Sequence, residues 1–273
     1  MNYGTLLTER IGPVAKITLN RPRVLNAINS TMIREMHCAM DEAEADDEAR
    51  VVLLAGAGRA FSAGYDLKET AASDIPGPSA WRRKLDDDLR FTLRMWDCPK
   101  PVIAAVHGYC LAGACDLMMM CDLAIAAEGT LFGEPEIRFG SGVVTLIMPW
   151  VLGMKKTREL LYTGHDKLTA QQALAFGLIN RVVPPEQLEA EALALASEIA
   201  TIGPEAIRLT KAAINRTYEI MGLREALLAN LDLDTLIESR EDNERVEFNR
   251  IAREQGLPAA LAWREARFGP PRP

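Results

Sequence analysis

The chain has no run of 18 apolar residues, and its first twenty residues lack the basic start, apolar stretch and small-residue cleavage site of a secretory signal. A membrane-spanning helix is therefore not expected, and a cytoplasmic location is. Cysteine and histidine are sparse: five cysteines at 38, 98, 110, 115 and 121, and three histidines at 37, 107 and 165, none at a zinc-ligand spacing. The odd count and apolar surroundings predict buried, reduced thiols and no metal site. Positive charge is also short, with 31 Lys and Arg against 38 Asp and Glu and a net of −7. The one basic run, Arg82, Arg83 and Lys84, is followed by Asp86, Asp87 and Asp88 and reads as a solvated helix face, so neither nucleic acid nor a membrane is an expected partner. GxGxxG and GxxxxGK[ST] are both missing, so no dinucleotide crevice or P-loop has a motif behind it. Internal repeats are missing too.

What is present is an ordinary globular composition, 273 residues with 48% hydrophobic and 25% charged side chains, enough for one large or two small domains. Residues 14–19 alternate as a strand and end at Asn20, Arg21 and Pro22. From 30 to about 48, Ile33, Met36, Met40 and Ala43 recur with helical spacing. A strand at 51–54 leads through Gly56, Gly58 and Gly64 to a helix starting near 66. Residues 73–79, SDIPGPS, read as an exposed mobile loop before a charged helix over 81–96. Residues 102–106 lack polar alternation, as in a strand covered on both faces. A glycine turn, an apolar helix through Met120 and a strand at 123–126 follow. Residues 168–183 read as a helix broken by Gly177 and then a strand, and beyond 185 the pattern is almost wholly helical. The sum is an α/β architecture with a helical C-terminal region.

Two glycine-bearing turns each enter a helix, at 61–67 and 112–117. Helix N-termini leave amide donors free, so the N–H groups of Tyr65 and Gly113 can converge on a carbonyl oxygen and stabilise the negative charge of an enolate. Two closely packed turns with no such role explain the same pattern. Asp116, Asp122, Glu134 and Glu136 lie beside apolar or glycine-rich sequence, where partial burial raises a carboxyl pKa towards neutrality. A first-turn acid at 116 and an ion-paired acid at 136 are the plainer accounts.

Four ordered segments, 19–28, 53–69, 104–140 and 160–184, resemble the enoyl-CoA hydratase/isomerase, or crotonase, superfamily. The resemblance implies an α/β spiral of ββα units with two sheets (residues 1–185) and a helical trimerisation region (186–268), while the Pro-, Gly- and Arg-rich composition of 269–273 predicts a disordered tail. It also implies an acyl-CoA thioester substrate with no separate cofactor, and a homotrimer or a hexamer built as a dimer of trimers. The oxyanion amides fall on Tyr65, where hydratases commonly have alanine, and on Gly113. The two acid/base positions fall on Glu136 and Asp116, the latter one methylene shorter than the usual glutamate. CoA contacts fall on Val24, Leu25, Ala27, Ala63, Asp66, Leu67 and Lys68. The implied reaction is hydration of a trans-2-enoyl-CoA; double-bond isomerisation is the runner-up, and acyl-CoA hydrolysis or non-catalytic binding stand further back. Residues 70–80, 137–150 and the helical C-terminus are expected to line the acyl pocket.

Overall fold

The computed structural model describes residues 2–73, 75–240 and 243–268. A hairpin of β1 (Leu6–Ile11) and β2 (Val14–Leu19) leads through a 3₁₀ turn, Pro22–Val24, to α1 (Ser30–Ala45), which Asn29 caps by accepting from Met32 N. Next come β3 (Val51–Gly56), α2 (Leu67–Ala72), α3 (Gly77–Asp97), β4 (Val102–Val106), β5 (Tyr109–Leu111), α4 (Gly113–Met119), β6 (Leu123–Ala127) and β7 (Leu131–Gly133). A 3₁₀ turn, Glu136–Phe139, precedes α5 (Met148–Thr163), β8 (Leu168–Thr169), α6 (Ala170–Phe176) and β9 (Arg181–Val183). The remainder is helical: α7 (Leu188–Ala200), α8 (Pro204–Ile220), α9 (Leu223–Glu238), α10 (Asn243–Glu254) and α11 (Leu257–Phe268).

One sheet runs β1-β2-β3-β4-β6-β9, parallel apart from the β1–β2 hairpin; the other runs β5-β7-β8. Alternate residues of β4 feed two cores, as expected for a strand covered on both faces. Val102, Ala104 and Val106 pack with α1, α3 and α4, whereas Ile103 and Ala105 pack with Leu188, Ala192 and Ala196 of α7. The first helix after residue 185 thus lies on the sheet itself. Helices α10 and α11 instead fold over the 3₁₀ turn and α2, with Phe248 stacked on Phe139 at 5.2 Å and Leu67 at the edge of that cluster.

Two expectations need correction. Residues 77–79 are not loop: Gly77 and Pro78 begin α3, because proline is well placed in a first helical turn, where its missing N–H is no loss. Cys38 is exposed on α1, while Cys98, Cys110, Cys115 and Cys121 are buried thiols. The tail over 269–273 lies outside the described residues. Among the described residues no helix is long and apolar enough to cross a membrane.

Candidate active site

The segment 61–66 is stitched between two neighbours. On one side Phe61 N, Ser62 N and Leu111 N bond to His107 O, Tyr109 O and Ser62 O. On the other, Ala63 N donates to Leu25 O, Ile28 N to Gly64 O and Asp66 N to Ile28 O, at 3.0, 2.8 and 2.8 Å. Both neighbours of Tyr65 N–H are therefore engaged in this stitching. The Tyr65 N–H and the Gly113 N–H that opens α4 have no protein partner among the described residues. Gly64 brings these two turns together: a Cβ placed on it would lie 2.6 Å from Ala112 Cβ and 3.3 Å from Gly113 N, and its φ of +88° is one that L residues rarely adopt. The Tyr65 ring then covers Gly113 so closely that a Cβ there would meet Cε2 at 2.3 Å. The hydroxyl donates to Asp88 O at 3.4 Å.

Asp116 sits one turn into α4, 1% exposed, with Oδ2 accepting from Thr145 N at 3.2 Å and Oδ1 unpartnered. Glu136 opens the 3₁₀ turn after β7, and Ala112 N donates to Gly133 O at 2.8 Å, tying that strand to the entry of α4. Its Oε2 is buried without a partner. Burial, and then the neighbouring negative charge of Glu136, hold the Asp116 carboxyl well above the ordinary carboxylate range. Burial raises Glu136 as well, with Asp234 and Glu238 adding to the effect. Glu134 belongs to the same group: both oxygens are buried and unpartnered, and burial with the charges of Asp116 and Glu136 pushes it up. Asp122 does not. It accepts from Val102 N at 2.7 Å and pairs with Lys211 at 2.6 Å, a structural tie between β4 and α8.

The positions expected to contact CoA run side by side, 24–28 against 63–66. Val24 is exposed and Ala63 and Leu25 are joined by the bond above. The Ala27 carbonyl accepts from Arg21 Nη1. The Asp66 carboxylate is occupied, capping α2 at Lys68 N and Glu69 N and pairing with Arg21 at 2.9 Å. Leu67 and Lys68 line a cleft of about 640 Å³ between α2 and the α10–α11 turn, with Arg253 opposite. Of the segments expected around the acyl group, only 71–73 and the C-terminal helices line this cleft.

Sequence reasoning passed over Asn26, which is fully buried at φ +53°. Its Nδ2 donates to Ala57 O, Ala60 O and Phe61 O, so this one amide fixes the turn that delivers Tyr65. It also passed over Asp234 of α9, 2% exposed and unpartnered at both oxygens. An unusual polar residue inside the apolar segment 24–28 was the only available signal for the first; nothing local marks the second.

Comparison with known proteins gives a consistent result. The family model for enoyl-CoA hydratase/isomerase matches residues 9–250. A Rhizobium meliloti protein named probable enoyl-CoA hydratase is 37% identical, over 98% of this chain and 99% of its own length. A Clostridium acetobutylicum short-chain-enoyl-CoA hydratase is 36% identical, over 79% of this chain and 83% of its own. The crystal structure of an enoyl-CoA hydratase/isomerase from Xanthobacter autotrophicus Py2 superposes with a TM-score of 0.96 at 45% identity, covering 98% of this chain and all of that one.

Proposed function

Because the chain belongs to the enoyl-CoA hydratase/isomerase, or crotonase, family and has its fold, we propose that it is a lyase adding water to a trans-2-enoyl-CoA to give a 3-hydroxyacyl-CoA. The observation that carries this reading is two amides without a partner among the described residues, Tyr65 N–H and Gly113 N–H, on turns that lead to the buried carboxyls at 116 and 136. The amides receive the thioester oxygen and the charge that grows on it as water attacks Cβ; such preorganised donors are worth about 10²–10³ in rate each. Asp116 orients the water and takes its proton, and Glu136 delivers a proton to Cα, so the enolate collapses to the saturated thioester. The raised Glu136 carboxyl suits the proton-donor role, and the negative charge of Glu136 raising Asp116 favours a pair that holds one proton between its two members. No separate cofactor is required by these steps, and a chelator should leave turnover unchanged.

CoA is read as lying along 24–28 and 63–68, with backbone groups of Val24, Leu25, Ala27, Ala63 and Asp66, and the side chains of Leu67 and Lys68, against it. Two cations line this cleft, Lys68 and Arg253, the latter also donating to Ala71 O, and their positive charge supports phosphate binding there. Exposed apolar side chains on α8 and α9, among them Ile214, Ile220, Leu233 and Leu236, support assembly as a trimer or a dimer of trimers, which sedimentation analysis tests. For the reaction, products from a panel of enoyl-CoA thioesters are analysed by mass spectrometry in heavy-oxygen water. One labelled oxygen with the thioester intact is the expected result; an unchanged mass with a moved double bond would replace hydration by isomerisation.

A further inference from the structure

Helix α9 turns one face towards the loop 141–145, with Asn230, Asp234 and Glu238 at four-residue spacing along it. The first and last of these hold the loop. Asn230 Nδ2 donates to Val143 O and Val144 O at 2.8 and 3.3 Å. Glu238 accepts from Ser141 Oγ and from Gly142 N, and Arg245 pairs with its carboxylate. At its far end the same loop presents Thr145 N to Asp116. Fixing the loop is thus fully accounted for by the residues on either side of Asp234.

Asp234 itself is left over. It is 2% exposed, and neither carboxyl oxygen has a partner among the described residues. The acids around it are not in that position: Asp88 is held by Lys84 at 2.6 Å and Glu238 by Arg245. Space has been kept for it as well, since a Cβ on Gly142 would lie 1.9 Å from its Oδ1. A buried carboxyl without a donor is costly, on the order of several kcal/mol, and a ligand that supplies the donor recovers that loss. Its position relative to the reacting carbons is bounded by the chain. Gly142 touches Asp234 and Thr145 touches Asp116, and three extended residues span at most about 11 Å. The two carboxyls are thus joined by one short loop, close enough for an acyl chain that reacts beside Asp116 to extend towards Asp234.

We propose that Asp234 is a specificity-determining residue that receives a hydroxyl group on the acyl chain, so that the preferred substrates are short hydroxyl-bearing acyl-CoA thioesters. This rests on the acyl-CoA reading above. A hydroxyl meets the acceptor at lower desolvation cost than an ammonium would in the same buried place.

The test is calorimetric binding of saturated thioesters in matched pairs in which CH₃ replaces OH: 4-hydroxybutanoyl-CoA with pentanoyl-CoA, 5-hydroxypentanoyl-CoA with hexanoyl-CoA, and 6-hydroxyhexanoyl-CoA with heptanoyl-CoA. In the unmodified protein one hydroxyl compound should bind about 10-fold or more tighter than its methyl partner, the scale of one hydrogen bond to a charged group. Asp234→Leu should erase or invert that ratio, and Asp234→Asn, which keeps an acceptor oxygen, should retain part of it. Equal binding within every pair, or the same ratio in Asp234→Leu, overturns the proposal while leaving the acyl-CoA reading intact. Failure of every thioester to bind overturns both.

Discussion

Replacing Gly113 by alanine should damage both fold and catalysis through one contact, and a second substitution should remove the damage. The φ of Gly113 is not positive, so its backbone accepts an L side chain; the obstacle is the Tyr65 ring. The new Cβ would lie 2.3, 2.6 and 3.0 Å from Cε2, Cδ2 and Cζ, where carbon atoms prefer about 3.5–4.0 Å. More than 1 Å of movement must therefore be absorbed by the ring or by the start of α4, which carries the Gly113 amide. Overpacking of this kind costs about 1–3 kcal/mol. A shift of about 1 Å in an amide that must meet a thioester oxygen lowers kcat/KM by about 10²-fold. Tyr65→Ala takes the ring away. It is destabilising by itself, because a large, partly buried ring is lost from the edge of the core, but in its background alanine at 113 has room and is a better helix former than glycine. The thermal midpoint and kcat/KM of the two single variants and the double variant form a cycle. Gly113→Ala should cost stability and rate in the parent and neither in Tyr65→Ala; equal losses in both backgrounds would refute the packing argument.

Glu136→Gln should lower kcat by about 10²–10⁴-fold while CoA thioesters still bind, and parent-like turnover would remove Glu136 from the chemistry. The acidic groups also set a pH dependence of stability. Burial raises Asp234 to about 7 and Asp88 to about 6 from an ordinary 3.8, so the folded state holds more protons than the unfolded one across that interval. Stability is then fully present below the unfolded value and is lost as the pH rises through the folded ones. The thermal midpoint should fall between pH 5 and 8, and Asp234→Asn should flatten that fall and raise the midpoint at pH 8; a midpoint that climbs across this range contradicts the account. Lys211→Met strips the partner from Asp122 and the donor from Met95 O and Lys100 O, and should cost about 3 kcal/mol in urea denaturation. A loss below about 1 kcal/mol would mean the tie between α8 and β4 is dispensable.

The sequence made some of these features legible and hid others for definable reasons. Strands β2, β3, β4 and β6 announce themselves because their side chains alternate between two apolar cores or are buried throughout. Strand β1 escaped because only Leu6 of its six residues is buried, so no alternation survives. The short sheet of β5, β7 and β8 offers three, three and two residues, too few for any period. Helix α5 was missed where Gly153, at φ 70°, interrupts its pattern. At the site, Gly64 beside Tyr65 and Gly113 itself are local signals of close backbone approach, which Gly64 bears out in its contact with Ala112. Asp234 has no local signal: its setting is made by Gly142, a residue remote in sequence that becomes its neighbour only when α9 docks.

The Asn26 amide has a consequence in time. Its three donated bonds join residues 31 to 35 positions apart, and the turn that presents Tyr65 N–H depends on all of them. Local helices can form before such long-range closures, which are entropically slow. During refolding, helical circular dichroism should therefore recover ahead of enoyl-CoA turnover, with a lag that lengthens in Asn26→Ala: the chain acquires its shape before it acquires a place to put a negative charge.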